Sequence, residues 1–540
     1  MRGLMMDFPL TVPAMLERAG NVFGKTEIVT RRPDRSLVRY TWRDLYGRAR
    51  RLANALTALG MRRGDRVATL LWNQSEHIEA YLGVPSAGGV LHTLNLRLHP
   101  DEISFIANHA GDRFLIVDDV LLPVYEKVRD RVNFERVIVV PFGGCCPLPA
   151  GCLDYEQLLS QASENFTYPQ LDENEAAVMC YTSGTTGRSK GVVYSHRAIT
   201  LHSANCCGVD SFGFSLRDTV LPMASMFHAN GWGVPFTTAM AGSKVVLPGP
   251  YADPEGILDL MEQERVTVVL GVPTVWFGVL NALENNPGRW KFTWPIRMLV
   301  GGAAASEVLM RGFERHGFRM MSLWGMTETT PHGSCSQLGP HMDSWSEEDR
   351  YAQRLKQGLP AALVEARIMR LDGTQAPHDG KTVGELEVRG PWVAGSYYNM
   401  PEESHRWSPD GWLRTGDMAH IDEDGYIKLV DRSKDLIKSG GEWISSVDLE
   451  NALMGHPCVK EAAVIGVAHP KWQERPLAVV VLMEGKEACP EELREFLSAK
   501  FAKWQLPDAF VFTNEIPRTS VGKFRKIALR EQFADWKWEP

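Results

Sequence analysis

Up to about residue 430, short apolar runs rich in β-branched residues alternate with segments of helical spacing. Val67–Trp72, Val137–Val140, Thr219–Leu221, Val266–Leu270 and Met298–Val300 read as buried strands. Thr41–Leu59 reads as a helix, because Leu45, Ala49, Leu52, Leu56 and Leu59 recur every three or four residues. Thr41 and Asp44 stand at the spacing of a capping box. Alternation of this kind predicts a layered α/β architecture built mainly on parallel sheet.

Near residue 420 the pattern changes. Met418–Ile421 and Tyr426–Val430 flank Asp422-Glu-Asp-Gly425, which predicts a hairpin with glycine at its tight turn. Beyond Asp431-Arg432 the chain has its own strands, Ala462–Val467, Leu477–Leu482 and Phe510–Phe512, and a helix over Glu491–Lys503. The expected organisation is therefore a large, multi-subdomain N-terminal domain over 1–432 and a small mobile α+β domain over 433–540. No Pro- or Gly-rich linker separates them, so the join at 432–434 suits a hinge more than a tether.

Length agrees with more than one core, since 540 residues exceed what a single core organises. A composition of 44% hydrophobic and 23% charged residues is that of a globular protein. The net charge of −8, without long runs of one sign, argues against a nucleic-acid partner. No apolar stretch reaches the roughly 18 residues of a membrane span, and the start lacks a signal-type apolar core, so a cytoplasmic location is expected. The nine cysteines include the adjacent pairs Cys145/Cys146 and Cys206/Cys207 but no zinc-ligand spacing, which reads as free thiols in a reducing compartment.

The strongest chemical signal is Tyr181-Thr-Ser-Gly-Thr-Thr-Gly-Arg-Ser-Lys-Gly191, following the apolar run Ala176–Cys180. Gly184, Gly187 and Gly191 let backbone N–H groups approach an anion; Thr182, Ser183, Thr185 and Thr186 add hydroxyl donors; Lys190 adds positive charge. That combination is a phosphate cradle. It lacks the spacing of a Walker A loop.

This segment resembles the signature loop of the adenylate-forming superfamily, whose members include acyl-CoA synthetases, luciferases and peptide-synthetase adenylation domains. The family pattern has proline where this chain has Ser189. The resemblance extends over about residues 6 to 535 and is closest to the fatty acyl-CoA synthetase branch, which holds medium- and long-chain fatty acid enzymes and the methylthiopropionate ligase. Val193-Tyr-Ser-His-Arg197 and Ser439–Glu450 carry that finer match.

The resemblance implies roles station by station. Gly301-Gly302-Ala303-Ala304 resembles the loop packed against adenine, and Ser322, Leu323, Trp324 and Gly325 lead into the same nucleotide site. Thr327 would contact phosphate, and Glu328 would hold Mg²⁺ with Thr182, hard oxygen ligands of the kind that ion takes. Asp417 would accept hydrogen bonds from the ribose hydroxyls. Arg432 would reach the nucleotide, Lys434 would sit at the pivot, and Lys438 would join the nucleotide group. Gly440, Gly441, Glu442 and Trp443 would line the path of CoA. Lys523, in Pro517-Arg-Thr-Ser-Val-Gly-Lys523, would bind the carboxylate and α-phosphate oxygens. His228, Ala229 and Trp232, in Met226-Phe-His-Ala-Asn-Gly-Trp232, would border the acyl pocket, with Trp232 as its gate.

The implied reaction uses ATP, Mg²⁺ and CoA. A carboxylic acid becomes its acyl-adenylate, and the acyl group then passes to CoA. The pocket segment offers no carboxylate for an α-ammonium group, which favours an apolar acid, fatty or aryl-alkanoic, over an amino acid. The branch also implies a homodimer through the N-terminal domain. Three other readings share these motifs: a ligase that loads a carrier protein, an oxidative luciferase, and a nucleotide-binding pseudoenzyme. The last predicts loss of Lys523, Glu328 or Lys190, and all three are present.

Overall fold

The computed structural model describes residues 1, 3–144, 147–182, 188–432, 434–439, 442–519 and 523–538, with Glu442 described for its backbone alone. The helix Trp42–Ala58 starts as its sequence predicts. Thr41 Oγ1 accepts from Asp44 N at 3.2 Å, and Thr41 N donates to Asp44 Oδ2 at 2.8 Å. Leu45, Ala49, Leu52 and Leu56 all face inward and are fully buried.

Among the described residues the strands form four sheets. One runs, in spatial order, Leu153–Asp154, Arg136–Val140, Asp112–Asp118, Arg66–Leu70, Val90–Thr93, Ala176–Tyr181 and Gly191–Ser195; only the last pair is antiparallel. A larger sheet has a parallel centre: Phe318–Gly325, Ile296–Val300, Val268–Gly271, Thr219–Pro222, Lys244–Leu247 and Glu27–Arg31. Its two ends are antiparallel: His332–Cys335 and Leu359–Pro360 beyond one side, Leu37–Thr41 beyond the other. Helices pack on these sheets, which is the mainly parallel α/β architecture the alternating pattern predicts.

The third sheet corrects one expectation. The change of pattern lies at Glu365, well before residue 420. Glu365–Met369, Gly384–Arg389, Leu413–Ile421 and Ile427–Arg432 form a wholly antiparallel sheet. Its strands alternate at the centre of the sheet and lose the alternation at the irregularity of Met418 and Ala419. Ile368, Leu386, Val388 and Leu413 are buried on one face, while Arg367, Glu387 and Arg414 form an ionic ladder on the other. The hairpin at 422–425 forms as predicted: Asp422 Oδ1 accepts from Asp424 N and Tyr426 N, and Gly425 takes φ 85°.

The fourth sheet holds Ile437–Ser439, Glu442–Ile444, Val459–His469, Gln473–Leu482 and Ala509–Phe512, flanked by Ser446–Leu453, Pro490–Ser498 and Lys526–Gln532. The helix expected to reach Lys503 stops at Ser498. A 3₁₀ turn over Lys503–Gln505 then bends the chain so that Leu506 returns to the core ahead of Pro507. At the join, Asp431 Oδ2 accepts from Ser446 N at 2.8 Å and from Ser446 Oγ. Placing an anion at this helix start stabilises it.

Candidate active site

Loops of the two mainly parallel sheets meet beyond their strands, where ligand sites lie in open α/β sheets: Asn73 Nδ2, after Arg66–Leu70, donates to Pro222 O at 3.0 Å and to Ala224 O at 2.9 Å, at the end of Thr219–Pro222. After Ala176–Tyr181, Thr182 N donates to Lys190 O at 2.9 Å and Lys190 N donates to Thr182 Oγ1 at 3.1 Å. These two bonds close the neck of the signature loop. Ser183, Gly184, Thr185, Thr186 and Gly187 lie outside the described residues. Ser189 is fully buried, and its hydroxyl donates to Glu102 Oε1 at 2.5 Å, on the helix Pro100–Ala110. The departure from proline therefore supplies an anchor that a proline ring could not make.

Lys190 projects from this neck. Its Nζ lies 2.7 Å from Glu403 Oε2 and 5.2 Å from the centroid of the Tyr397 ring. Tyr397 in turn donates its hydroxyl to Glu328 Oε1 at 2.5 Å. Glu328 is 4% exposed, and among the described residues its other oxygen takes no hydrogen bond. A buried carboxylate with a free oxygen, and the hydroxyl of Thr182, are donors that Mg²⁺ accepts. Tyr194 Oη donates to Thr327 O at 2.7 Å and fixes the turn that presents Glu328.

Two glycines are required, Gly325 by contact and Gly302 by its backbone. At Gly325 a Cβ would stand 1.7 Å from Pro331 O, so no side chain fits. Gly302 has φ 81°, and a Cβ there would lie 3.1 Å from Val272 Cγ1 and 3.7 Å from Lys523 Cε. Ala303 is exposed and Ala304 half-buried beside it. Leu323 is buried, as is Ser322, whose hydroxyl has no hydrogen-bond partner among the described residues. The Trp324 indole donates to Asp417 Oδ2 at 2.9 Å, and Asp417 Oδ1 is 3.5 Å from Arg432 Nε.

Lys523 thus arrives from the C-terminal region against Gly302, within electrostatic reach of Arg432, Asp417 and Glu328. Burial, then the Arg432 charge, pushes its ammonium down to about 8, against the pull of Asp417 and Glu328. His228 is neutral, pushed down to about 3 by burial and then by Lys523. Lys434 lies within reach of Arg432 and Asp417. Lys438 stacks on Trp443, its Nζ 4.8 Å from the ring, across the hairpin of Ile437–Ser439 and Glu442–Ile444. No described contact joins that pair to the group around Lys523. Gly440, Gly441 and the Glu442 side chain lie outside the described residues.

The segment expected to border the acyl pocket has unusual backbone. Ala229, Asn230, Gly231, Trp232 and Gly233 all have positive φ, from 44° to 72°, a complete left-handed turn. Each non-glycine residue in it costs about 1–2 kcal/mol. The turn aims the Trp232 indole at Gly301 and Gly302. Behind Trp232 lie Phe212, Leu299, Met321 and Leu323, with two buried histidines. His202 and His332 are 6.4 Å apart and uncharged, each pushed down to about 3, chiefly by burial.

Residues 16–398 match the AMP-binding enzyme family, and residues 448–523 match the AMP-binding enzyme C-terminal domain. The chain belongs to the AMP-binding enzyme family. It is 49% identical over 534 residues to the long-chain-fatty-acid–CoA ligase of Thermus thermophilus, covering 98% of this chain and 97% of that one. It is 42% identical over 541 residues to the 3-methylmercaptopropionyl-CoA ligase of Ruegeria lacuscaerulensis, covering 99% of each. Among solved structures it is similar to an anthranilate CoA ligase in complex with anthranoyl-AMP, with a TM-score of 0.86, 25% identity and coverage of 97% of this chain and 98% of that one.

In this AMP-binding enzyme the described site gathers four cations, Lys190, Arg432, Lys434 and Lys523, with three carboxylates, Glu328, Asp417 and Glu403. Such a set can neutralise a polyphosphate beside a second anion. Sequence reasoning missed Tyr397 and Glu403. Both stand in the irregular segment between Gly384–Arg389 and Leu413–Ile421, far along the chain from the residues they touch. Their only local signal is a pair of tyrosines and a pair of acids flanking Pro401.

Proposed function

We propose that this chain is an AMP-forming acyl-CoA synthetase: a carboxylic acid and ATP give an acyl-adenylate and pyrophosphate, and CoA then takes the acyl group with release of AMP. The observation that carries this reading is Lys523, lodged against Gly302 beside Glu328 and Asp417 although it belongs to the C-terminal region. A cation at that point is suited to holding the carboxylate against the α-phosphate. The likeness to CoA ligases of fatty and methylthio acids supports the acceptor and an apolar or weakly polar acid as substrate.

Bringing two anions together requires charge neutralisation. Lys190 would hold the leaving phosphates and Lys523 the reacting oxygens, with Thr182 and Thr327 orienting them. Glu328 and Thr182 would hold Mg²⁺, which supplies further positive charge. Asp417 would accept from the ribose hydroxyls. The acyl-adenylate is a mixed anhydride, so the closed site must exclude water. For thioester formation Lys523 must withdraw. Rotation of 433–540 about Lys434 would open a path past Gly440, Gly441 and Trp443 for the thiol. A homodimer in the cytoplasm completes the reading. Among the described residues no helix is long and apolar enough to cross a membrane.

The test is AMP release with ATP, Mg²⁺ and CoA over a panel running from methylthiopropionate through C4–C18 fatty acids to phenylpropionate and an amino acid. CoA-dependent turnover with one preferred acid is the expected result. Adenylate without thioester would point to a carrier protein as acceptor. No adenylate from any acid would overturn the reading.

A further inference from the structure

Lys190 meets an anion of the protein's own. Its Nζ lies 2.7 Å from Glu403 Oε2, and both side chains are largely buried. Glu403 is held in place by its backbone, whose N donates to Met400 O at 3.1 Å within the 3₁₀ segment Pro401–Arg406. On its other side Lys190 faces the Tyr397 ring, which is tied to Glu328. The ammonium therefore has a full charge partner and an aromatic wall before any phosphate arrives.

One ammonium cannot give its full attraction to two anions at once. A polyphosphate that takes Lys190 must displace or share it with the Glu403 carboxylate. When pyrophosphate leaves, the same carboxylate is in place to take the lysine back, so the cation is not left bare in a desolvated site. We propose that Glu403 is a displaceable counter-ion of Lys190 that competes with pyrophosphate and so speeds its release. Glu403 touches no reacting atom in this scheme and is a positioning residue. The proposal rests on the acyl-activation reading given above.

This role has a sign that a merely structural one lacks. If Glu403 competes with phosphate, removing its charge tightens phosphate binding. If it only holds Lys190 in position, removing it weakens phosphate binding. The experiment measures inhibition of AMP release by added pyrophosphate in the full-length enzyme, with saturating acid and CoA. For Glu403→Gln the inhibition constant of pyrophosphate is expected to fall about three- to tenfold, and KM for ATP to fall with it, while kcat does not rise. Glu403→Asp, which keeps the charge, is expected to stay within about twofold of wild type. Glu403→Ser serves as a second neutral variant with the same expected direction should the glutamine variant not fold. The difference between Glu403→Gln and wild type is expected to shrink with added salt. A pyrophosphate constant that is unchanged or raised in both neutral variants overturns the proposal. AMP release from no acid at all defeats the underlying reading instead, so the two failures are distinct.

Discussion

The indole N–H of Trp324 is bonded to Asp417 Oδ2 at 2.9 Å, across 93 residues of chain, and ties the end of a parallel strand to the antiparallel sheet. Asp417 is 8% exposed, and Arg432 Nε stands 3.5 Å from its other oxygen. The carboxylate is thereby held in one orientation, which the proposed acceptance of ribose hydroxyls would need.

Trp324→Phe keeps the aromatic volume and removes the donor. Hydrogen bonds to charged groups contribute about 1.5–3 kcal/mol, so KM for ATP is expected to rise about tenfold or more. KM for the acid is expected to change much less. Steady-state kinetics in both substrates measures this, and an equal rise in the two constants would sink the assignment of Asp417 to the nucleotide.

Lys523 is expected to separate the two half-reactions. Lys523→Ala should lower adenylation by about 10²–10³-fold, the range for losing one positioned charge donor. It should leave most of the thioester step when preformed acyl-adenylate is supplied. The pH dependence has a definite sign. In the proposed scheme the cationic form would bind the reacting oxygens, and that form is lost as pH rises through about 8. The kcat/KM for adenylation, which reports the free enzyme, should therefore fall above pH 8. The CoA-dependent step should not show that fall, because CoA thiolate increases with pH. Parallel profiles for the two half-reactions would refute the division of labour.

How much of this was legible depends on sequence distance. Thr41 and Asp44 are three residues apart, and their reciprocal bonds follow from local spacing alone. The hairpin at 422–425 is likewise local. Ser189 and Glu102 are 87 residues apart, and nothing in the order of residues predicts their bond. The same holds for Lys190 with Glu403, and for Tyr397 with Glu328. The antiparallel sheet from Glu365 was hidden for another reason. Its short strands alternate Ile and Leu with Arg and Glu, a weaker signal than the continuous apolar runs of the parallel sheets. The left-handed turn at 229–233 is invisible locally, because only two of its five residues are glycine.

Stability is expected to depend on a buried ionic group remote from the site. Glu79 is fully buried; Arg48 Nε lies 2.6 Å from its Oε1, and Tyr155 Oη donates to its Oε2 at 2.7 Å. Arg48 also holds Glu156 at 2.6 Å. Burial raises the Glu79 carboxyl to about 7 even beside Arg48. Arg48→Met would leave that carboxyl without its cation, at a cost of about 3–5 kcal/mol. Urea unfolding monitored by fluorescence measures the change. A loss near zero would mean that Glu79 is held protonated by its surroundings and does not need the guanidinium.

The turn that carries Trp232 provides the sharpest test of where the acid binds. Gly233 has φ 72°, and a Cβ there would stand 2.4 Å from His202 Cε1. Gly233→Ala is therefore strained twice, by its backbone and by its neighbour. The backbone term alone is about 1–2 kcal/mol. His202 is fixed by its own packing against Trp392, with ring centroids 6.0 Å apart, so the turn has to move more than the histidine does. Movement of the turn displaces Trp232 from Gly301 and Gly302 but leaves Trp324, Asp417 and Lys190 where they are. KM for the acid is expected to rise by about tenfold or more, and KM for ATP to stay within about twofold. A lowered melting temperature should accompany the change. If KM for ATP rises as much as KM for the acid, the turn belongs to the nucleotide side and Trp232 is not the boundary of the acyl pocket.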